Sequence, residues 1–320
     1  MMKLNEISIE ITQQCPNYCI HCSSFSTWHT RMMMPWLKLR EVIDDAVTLG
    51  AKTICLSGGE PFLHPDIIDI VNYIYEKGCS CFIYSSGIFY DGVTYNALKT
   101  DVLEAISKSV TKIILNYEAA NSQTYDQIMG TNFGGCDILQ QSIVRCVKAG
   151  ICVETHVVPM KINYKQIPEI ISQCDKLGVE QVSLLRIVMH GRALENTESI
   201  ILTESEVNSF KDFILKIREK GSLKVRLGIP FSECSTRINC LTGTKKLNVR
   251  YDGKVYPCEA FKNDLPNGLS KYEPESIYNK RLIDIYNFSE YLADIRQKLE
   301  AFQQVNCCEN CMNQFFRKGV

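Results

Sequence analysis

The sequence predicts an α/β protein built on parallel strands, and three observations carry that expectation. Short apolar or alternating runs recur between longer segments of helical period. Glycines close most of the helical segments. Strand and helix alternate six times before about residue 221, a rhythm that favours parallel strands joined by right-handed crossovers. Six such units form either an open sheet or a partial barrel, and periodicity alone does not choose between them.

Each element has its own signal. Ile7-Ser8-Ile9-Glu10-Ile11 alternates apolar and polar side chains and is the first predicted strand. A helix follows over 37–49 and stops at Gly50. The second strand, 53–57, delivers Gly58 and Gly59 at its carboxyl end. Residues 65–76 read as a helix with Pro65 in its first turn. A strand over 81–85 and a helix over 94–107 come next. Strands over 112–116, 151–158 and 182–188 then alternate with helices over 137–148, 167–177 and 204–220. Beyond Gly221 the rhythm breaks. Residues 247–257 read as a hairpin turning at Asp252-Gly253, and 288–302 as a charged amphipathic helix. Two domains are therefore expected, 1–220 and 221–320.

Composition narrows the class. A formal net charge of -1 gives no argument for nucleic acid or an anionic membrane as partner. No apolar run approaches the roughly 20 residues that span a bilayer. The stretch before Cys15 lacks an apolar secretory core, so a cytoplasmic location is expected. Sixteen cysteines in such a chain point to metal or redox use and not to a disulfide scaffold. Cys55, Cys81, Cys146 and Cys152 sit in apolar runs and read as small core residues.

Cys15-Pro16-Asn17-Tyr18-Cys19-Ile20-His21-Cys22 sets three thiols at C-x3-C-x2-C spacing, directly after the first strand. Soft sulfur ligands on one tight loop suit three corners of an iron–sulfur cube and leave the fourth iron open. Three unrelated cysteines, or a zinc knuckle short of a ligand, are the readings set against it. Gly58 and Gly59 lack side chains, so a ligand can approach their backbone. On its own, Gly-Gly-Glu-Pro is as readily a turn.

Together, the three cysteines and Gly58-Gly59-Glu60-Pro61 at the end of the next strand resemble the radical SAM superfamily. The resemblance implies a partial (β/α)6 barrel of the TIM type. It implies a [4Fe–4S] cluster on Cys15, Cys19 and Cys22, with S-adenosylmethionine at the open iron. One-electron cleavage would give methionine and a 5′-deoxyadenosyl radical that takes hydrogen from a C–H bond. Gly58, Gly59 and Glu60 are then expected to meet the methionine amino group. Ser85-Ser86-Gly87 stands where the family commonly has Thr-Asn-Gly, so Ser85 is a candidate for the nucleoside or methionine end. Asn116 falls where members often place a polar residue near the methionine carboxylate. Arg186 on the sixth strand is a candidate for pairing bidentately with that carboxylate. Ser85 and Asn116 read equally well as strand-end caps.

A second set lies downstream. Cys240, Gly253 and Cys258, followed by Cys308-x2-Cys311, resemble the ligand pattern of SPASM and twitch auxiliary-cluster domains, and the short form, twitch, is expected. The hairpin ends would bring Cys240 and Cys258 together, and a second [4Fe–4S] cluster would complete on Cys308 and Cys311. Cys307 is the alternative to Cys308, and a structural zinc is the alternative to iron. Cys234 matches no ligand position; it is either a hydrogen-atom donor to a substrate radical or a packed thiol. Gly191-Arg192-Ala193 reads as loop shaping or substrate contact, and His156 as a hydrogen-bonded structural histidine. The expected activity is hydrogen abstraction from a ribosomally made peptide, giving a crosslink, thioether or epimer. A small-molecule dehydrogenase, epimerase or rearranging enzyme acting on an aminosugar or nucleotide is the alternative. The few residues before Cys15 argue somewhat against a peptide substrate. An external one-electron reductant such as flavodoxin or ferredoxin is the expected partner.

Overall fold

The first strand sits inside a nine-stranded sheet in this computed structural model, which describes residues 3–220, 223–228, 231, 240–262 and 270–304. The chain runs β1 (Glu6–Thr12), α1 (Trp36–Thr48), β2 (Thr53–Gly58), α2 (Ile67–Glu76) and β3 (Ser80–Ser85). A small hairpin of β4 (Ile88–Tyr90) and β5 (Tyr95–Ala97) precedes α3 (Thr100–Ile106) and β6 (Lys112–Asn116). Then come α4 (Ser122–Met129), α5 (Gly135–Lys148), β7 (Val153–Val157), α6 (Ile167–Lys176) and β8 (Gln181–Leu184). Two short helices, α7 (Arg192–Glu195) and α8 (Thr197–Ile200), lead into α9 (Glu204–Lys220) and β9 (Lys224–Leu227). The last elements are β10 (Lys246–Val249), β11 (Val255–Tyr256), α10 (Leu282–Phe288) and α11 (Glu290–Gln304).

The sheet order is β11-β10-β1-β2-β3-β6-β7-β8-β9. Every neighbouring pair is parallel except β10 with β11, the hairpin expected at Asp252-Gly253. Consecutive parallel strands with helical crossovers give the partial TIM-type barrel. The sheet also runs across residue 221: β9 extends it at one edge, and β10 joins β1 at the other.

Register divides the sheet into two chemically different faces. Ile7, Ile54, Cys81 and Ile9, Leu56, Ile83, Ile113, Val153 stand in cross-strand rows, and all are at most 1 % exposed. They form one apolar core with Ile43, Ile70, Ile74, Leu103 and Ile143 of the flanking helices. Burial of this kind contributes about 25 cal/mol per Å² of apolar surface and supplies most of the fold's stability. The alternate residues, among them Ser8, Glu10, Ser57, Tyr84, Asn116 and His156, line a cavity.

Three expectations change. Residues 94–107 do not form one helix: Tyr95–Ala97 is the second strand of the small hairpin, and only Thr100–Ile106 is helical. The β-branched and aromatic residues that open this stretch favour a pleated strand over a helix. The strand predicted over 182–188 ends at Leu184, so Arg186 lies beyond it, not on it. β9, a seventh parallel strand after α9, was not expected at all. Among the described residues no helix is long and apolar enough to cross a membrane.

Candidate functional site

The site opens at the carboxyl ends of the strands, where α/β folds place their ligands. A cavity of about 480 Å³ is lined by Cys15, Cys19, Cys22, Gly58, Gly59, Ser85 and Asn116 together. Residues predicted from separate strands are thus brought to one wall.

The cysteine loop is held by its backbone. The Cys15 amide donates to the Thr27 carbonyl at 3.0 Å, Tyr18 to Met129 at 2.9 Å and Ile20 to Ile128 at 2.9 Å. Arg192, 2 % exposed, donates from Nε to the Cys19 carbonyl at 2.8 Å and from its terminal nitrogen to the Ser26 carbonyl at 3.0 Å. Its guanidinium also lies 4.0 Å from the Tyr18 ring centroid. Of the two roles expected for Gly191-Arg192-Ala193, these contacts fit loop shaping. A Cβ on Gly191 would stand 2.4 Å from the Cys22 carbonyl, and one on Gly59 would stand 2.0 Å from the Gln14 carbonyl. Both glycines are therefore close-approach positions against the loop.

Cys15 is buried, and Cys19 and Cys22 are half-buried. Burial, then the neighbouring Cys19 charge, pushes the Cys15 thiol well above its ordinary value. Burial and Cys22 do the same to Cys19. Three thiolates there require a compensating cation. Among the described residues no three His, Cys, Asp or Glu side chains converge as a single-ion site; a cube, with separate corner irons, does not need them to. Beside the thiols Asn17 is 2 % exposed, with neither amide atom hydrogen-bonded, and His21 Nδ1 is buried without a partner. Soft donors spread along one wall, beside polar groups awaiting a ligand, fit an iron–sulfur cluster with a polar co-ligand.

Glu60 has a different setting from the one expected. It is fully buried and absent from the cavity wall. Oε1 accepts from the Ser85 hydroxyl at 2.7 Å and the Phe62 amide at 3.2 Å. Oε2 accepts from the Ser86 amide at 2.8 Å and the Ser86 hydroxyl at 2.5 Å. Those four donors fill the carboxylate's acceptor sites. Burial raises the Glu60 pKa against the pull of these bonds. Its observed work is to tie the end of β2 to the Ser85-Ser86-Gly87 turn. Arg186 is half-buried, does not line the cavity, and keeps one terminal nitrogen buried without a partner.

Other lining residues escaped the sequence reading. Glu118 follows β6, accepts from the Val158 amide at 3.0 Å and stands 3.5 Å from His21 Nε2. Glu10, Lys246, Glu259 and Lys262 form a charged wall around β1 and β10. The alternation around Glu10 was the available signal, since it puts Glu10 on the face opposite Ile9 and Ile11. His156 lines the cavity with its ring 5.5 Å from Tyr84 and makes no side-chain hydrogen bond among the described residues, so the hydrogen-bonded role expected for it is not seen. In the carboxyl-terminal part, the Gly243 amide donates to the Pro257 carbonyl at 2.9 Å, which sets the segments carrying Cys240 and Cys258 side by side. Cys234, Cys307, Cys308 and Cys311 lie outside the described residues.

Residues 9–174 match the family model of the radical SAM superfamily, and residues 240–312 match that of SPASM, an iron–sulfur cluster-binding domain. The chain belongs to the radical SAM superfamily. Membership implies iron–sulfur clusters and S-adenosylmethionine as its cofactors. Its relatives include a PqqA peptide cyclase of Gluconobacter oxydans, 24% identical over 255 residues, 78% of this chain and 69% of that one. Another, of Methylorubrum extorquens, is 27% identical over 263 residues, 78% of this chain and 65% of that one. The chain thus spans about two thirds of these relatives' length. Streptococcus suis SuiB bound to S-adenosylmethionine has the same fold, with a TM-score of 0.73 at 16% identity over 92% of this chain and 68% of that one. So does anSMEcpe with bound AdoMet, with a TM-score of 0.67 at 10% identity over 92% of this chain and 80% of that one.

Proposed function

We propose that this protein is a radical SAM enzyme that abstracts hydrogen from a C–H bond of a ribosomally made peptide. The observation that carries the reading is the gathering of Cys15, Cys19, Cys22, Gly58, Gly59, Ser85 and Asn116 on one cavity at the strand ends. In this reading the three cysteines hold a [4Fe–4S] cluster by three corners. When bound, the cluster and S-adenosylmethionine supply one-electron chemistry that ends in hydrogen abstraction. Gly58 and Gly59 admit the methionine end to the backbone, and Ser85 and Asn116 present polar atoms to it. Glu60 acts one step back by fixing Ser85 and Ser86. Cys240 and Cys258, with Cys308 and Cys311, hold an auxiliary cluster in a twitch-like module. The cavity walls exclude water and keep the reacting bond close.

The peptide is supported by the PqqA peptide cyclases among the relatives and by a SuiB structure bound to precursor peptide SuiA, which matches with a TM-score of 0.74. Flavodoxin or ferredoxin is the proposed electron source, in the cytoplasm. The test is anaerobic reconstitution and reduction, followed by incubation in deuterated water with candidate peptides and, in parallel, aminosugars and nucleotides. Formation of 5′-deoxyadenosine together with a mass change in a peptide supports the proposal. Product from a small molecule alone overturns the substrate class, and no 5′-deoxyadenosine at all overturns the enzyme assignment.

A further inference from the structure

The cavity extends past the cysteine loop to a wall that the cluster and nucleotide readings do not use. Here Glu10 on β1 is 1 % exposed and Lys262 is 7 % exposed. The Lys262 ammonium donates to Glu10 Oε1 at 2.5 Å and to the Ser24 hydroxyl oxygen at 2.7 Å. The Ser24 hydroxyl in turn donates to the same Oε1 at 3.0 Å. Arg250 anchors this triangle by donating to the Lys262 carbonyl at 2.6 Å. The carboxylate is therefore fixed through one oxygen. The other, Oε2, is buried with no hydrogen-bond partner, on a residue that lines the cavity.

Leaving a buried charged acceptor without a partner costs stability, and each such group in a native fold calls for an explanation. An anionic oxygen accepts; it cannot donate to a carboxylate or phosphate. The neighbouring charges on this side are already paired with one another. On this wall Lys246 pairs with Glu6 at 2.8 Å and with Glu259 at 3.2 Å, and Ser8 donates to Glu259 at 2.5 Å. Among the charged residues that line the cavity, Glu10, Glu118 and Glu259 stand against Lys246, Lys262 and Arg226, and the unfilled acceptor position belongs to Glu10.

We propose that Glu10, fixed by Lys262 and Ser24, is the anchor for a basic N–H donor of the substrate, an amine or guanidine side chain. This rests on the peptide reading above and adds to it which side chain the peptide carries into the cavity. Lys262 and Ser24 are positioning residues that keep Oε2 turned to the ligand.

The test uses the reconstituted full chain loaded with S-adenosylmethionine. Four probes are titrated by ligand-observed NMR: Nα-acetyl-lysine amide, Nα-acetyl-arginine amide, Nα-acetyl-norleucine amide and Nα-acetyl-glutamate amide. The lysine and arginine probes are expected to bind about tenfold or more tighter than the other two, as loss of a buried charge contact would give. Glu10→Gln should erase that preference, while Glu10→Asp, which keeps the charge, should retain part of it. Equal binding of all four probes, preference for the glutamate probe, or an unchanged ranking in Glu10→Gln overturns the proposal. So does a Glu10→Gln variant that loses S-adenosylmethionine affinity in step with the probes, since the carboxylate would then serve the nucleotide. If Glu10→Gln takes up no iron, the ranking on the wild-type chain still decides. Absence of 5′-deoxyadenosine on reduction would count against the enzyme reading, whereas absence of a probe preference in a chain that cleaves S-adenosylmethionine counts only against this subsite.

Discussion

The two cysteine sets are built in opposite ways. Cys15, Cys19 and Cys22 fall within eight consecutive residues, and backbone hydrogen bonds donated by the loop to the carbonyls of Thr27, Ile128 and Met129 clamp it from both sides. Cys240 and Cys258 belong to segments joined by a hairpin, and their proposed partners Cys308 and Cys311 come some fifty residues later. A site made by one loop is specified by spacing; a site made by distant segments needs the fold to bring it together. The largest expected effect follows from the first. Replacing Cys15, Cys19 and Cys22 with alanine should abolish 5′-deoxyadenosine formation in the reduced, reconstituted enzyme, measured by liquid chromatography. Undiminished formation would remove the assigned loop from the chemistry.

The second set offers the next largest effect. Reconstituted wild-type chain should carry about eight irons, the content of two cubes. Replacing Cys240 and Cys258 with alanine should lower this to about four irons and leave the signals of the first cluster in place. If the wild-type protein instead holds about four irons with one bound zinc, the carboxyl-terminal set is a structural zinc site.

The same contrast explains what the sequence made legible. The alternation Ile7-Ser8-Ile9-Glu10-Ile11 located β1 and its two faces, because a strand's period leaves little choice. The cysteine spacing and the Gly58-Gly59 strand end located the ligand wall for the same local reason. Glu118 and Lys262 were not legible, since their positions on the cavity depend on the path of loops after β6 and β11. The Glu60 contacts were hidden too: only the folded chain brings Ser85 and Ser86, 25 and 26 residues away, onto its carboxylate. The strand β9 was missed because it follows a long helix as a short run, Lys224–Leu227, with two of its four residues charged.

Close packing against the loop gives a smaller effect that sharpens the comparison. In Gly191→Ala the new methyl carbon would meet the Cys22 carbonyl at 2.4 Å, at a φ of +58°. Gly150 has a similar φ of +75° but nothing within 4 Å of the added carbon. Gly150→Ala should lose only the left-handed backbone penalty, about 1–2 kcal/mol. Gly191→Ala, at a ψ of -136° that lies outside the left-handed helical well, should lose more from the backbone alone, about 1–3 kcal/mol, and a further ~1–3 kcal/mol from overpacking, and should retain less iron in the first set. Denaturant melts and iron analysis on the two variants measure the difference. Equal losses would mean that the loop yields freely to Gly191, contrary to the hydrogen bonds that hold it.

The smallest effect at neutral pH concerns His156, on the cavity side of β7. Burial, then the Arg226 and Lys112 charges, lowers its pKa from 6.5 to about 3. Between those values the unfolded chain binds a proton that the folded chain refuses. Stability contributed by the neutral ring is therefore present above pH 6.5 and is lost progressively as pH falls toward about 3. The slope cannot exceed about 1.4 kcal/mol per pH unit for one group. His156→Gln removes this titration, so its stability should fall less steeply than that of the wild type between pH 6.5 and 5. The ordinary carboxylates affect both chains alike, and the difference between their curves isolates the histidine. Parallel curves would mean that the ring is protonated in the folded state, and the cavity would then carry a further positive charge beside Arg226.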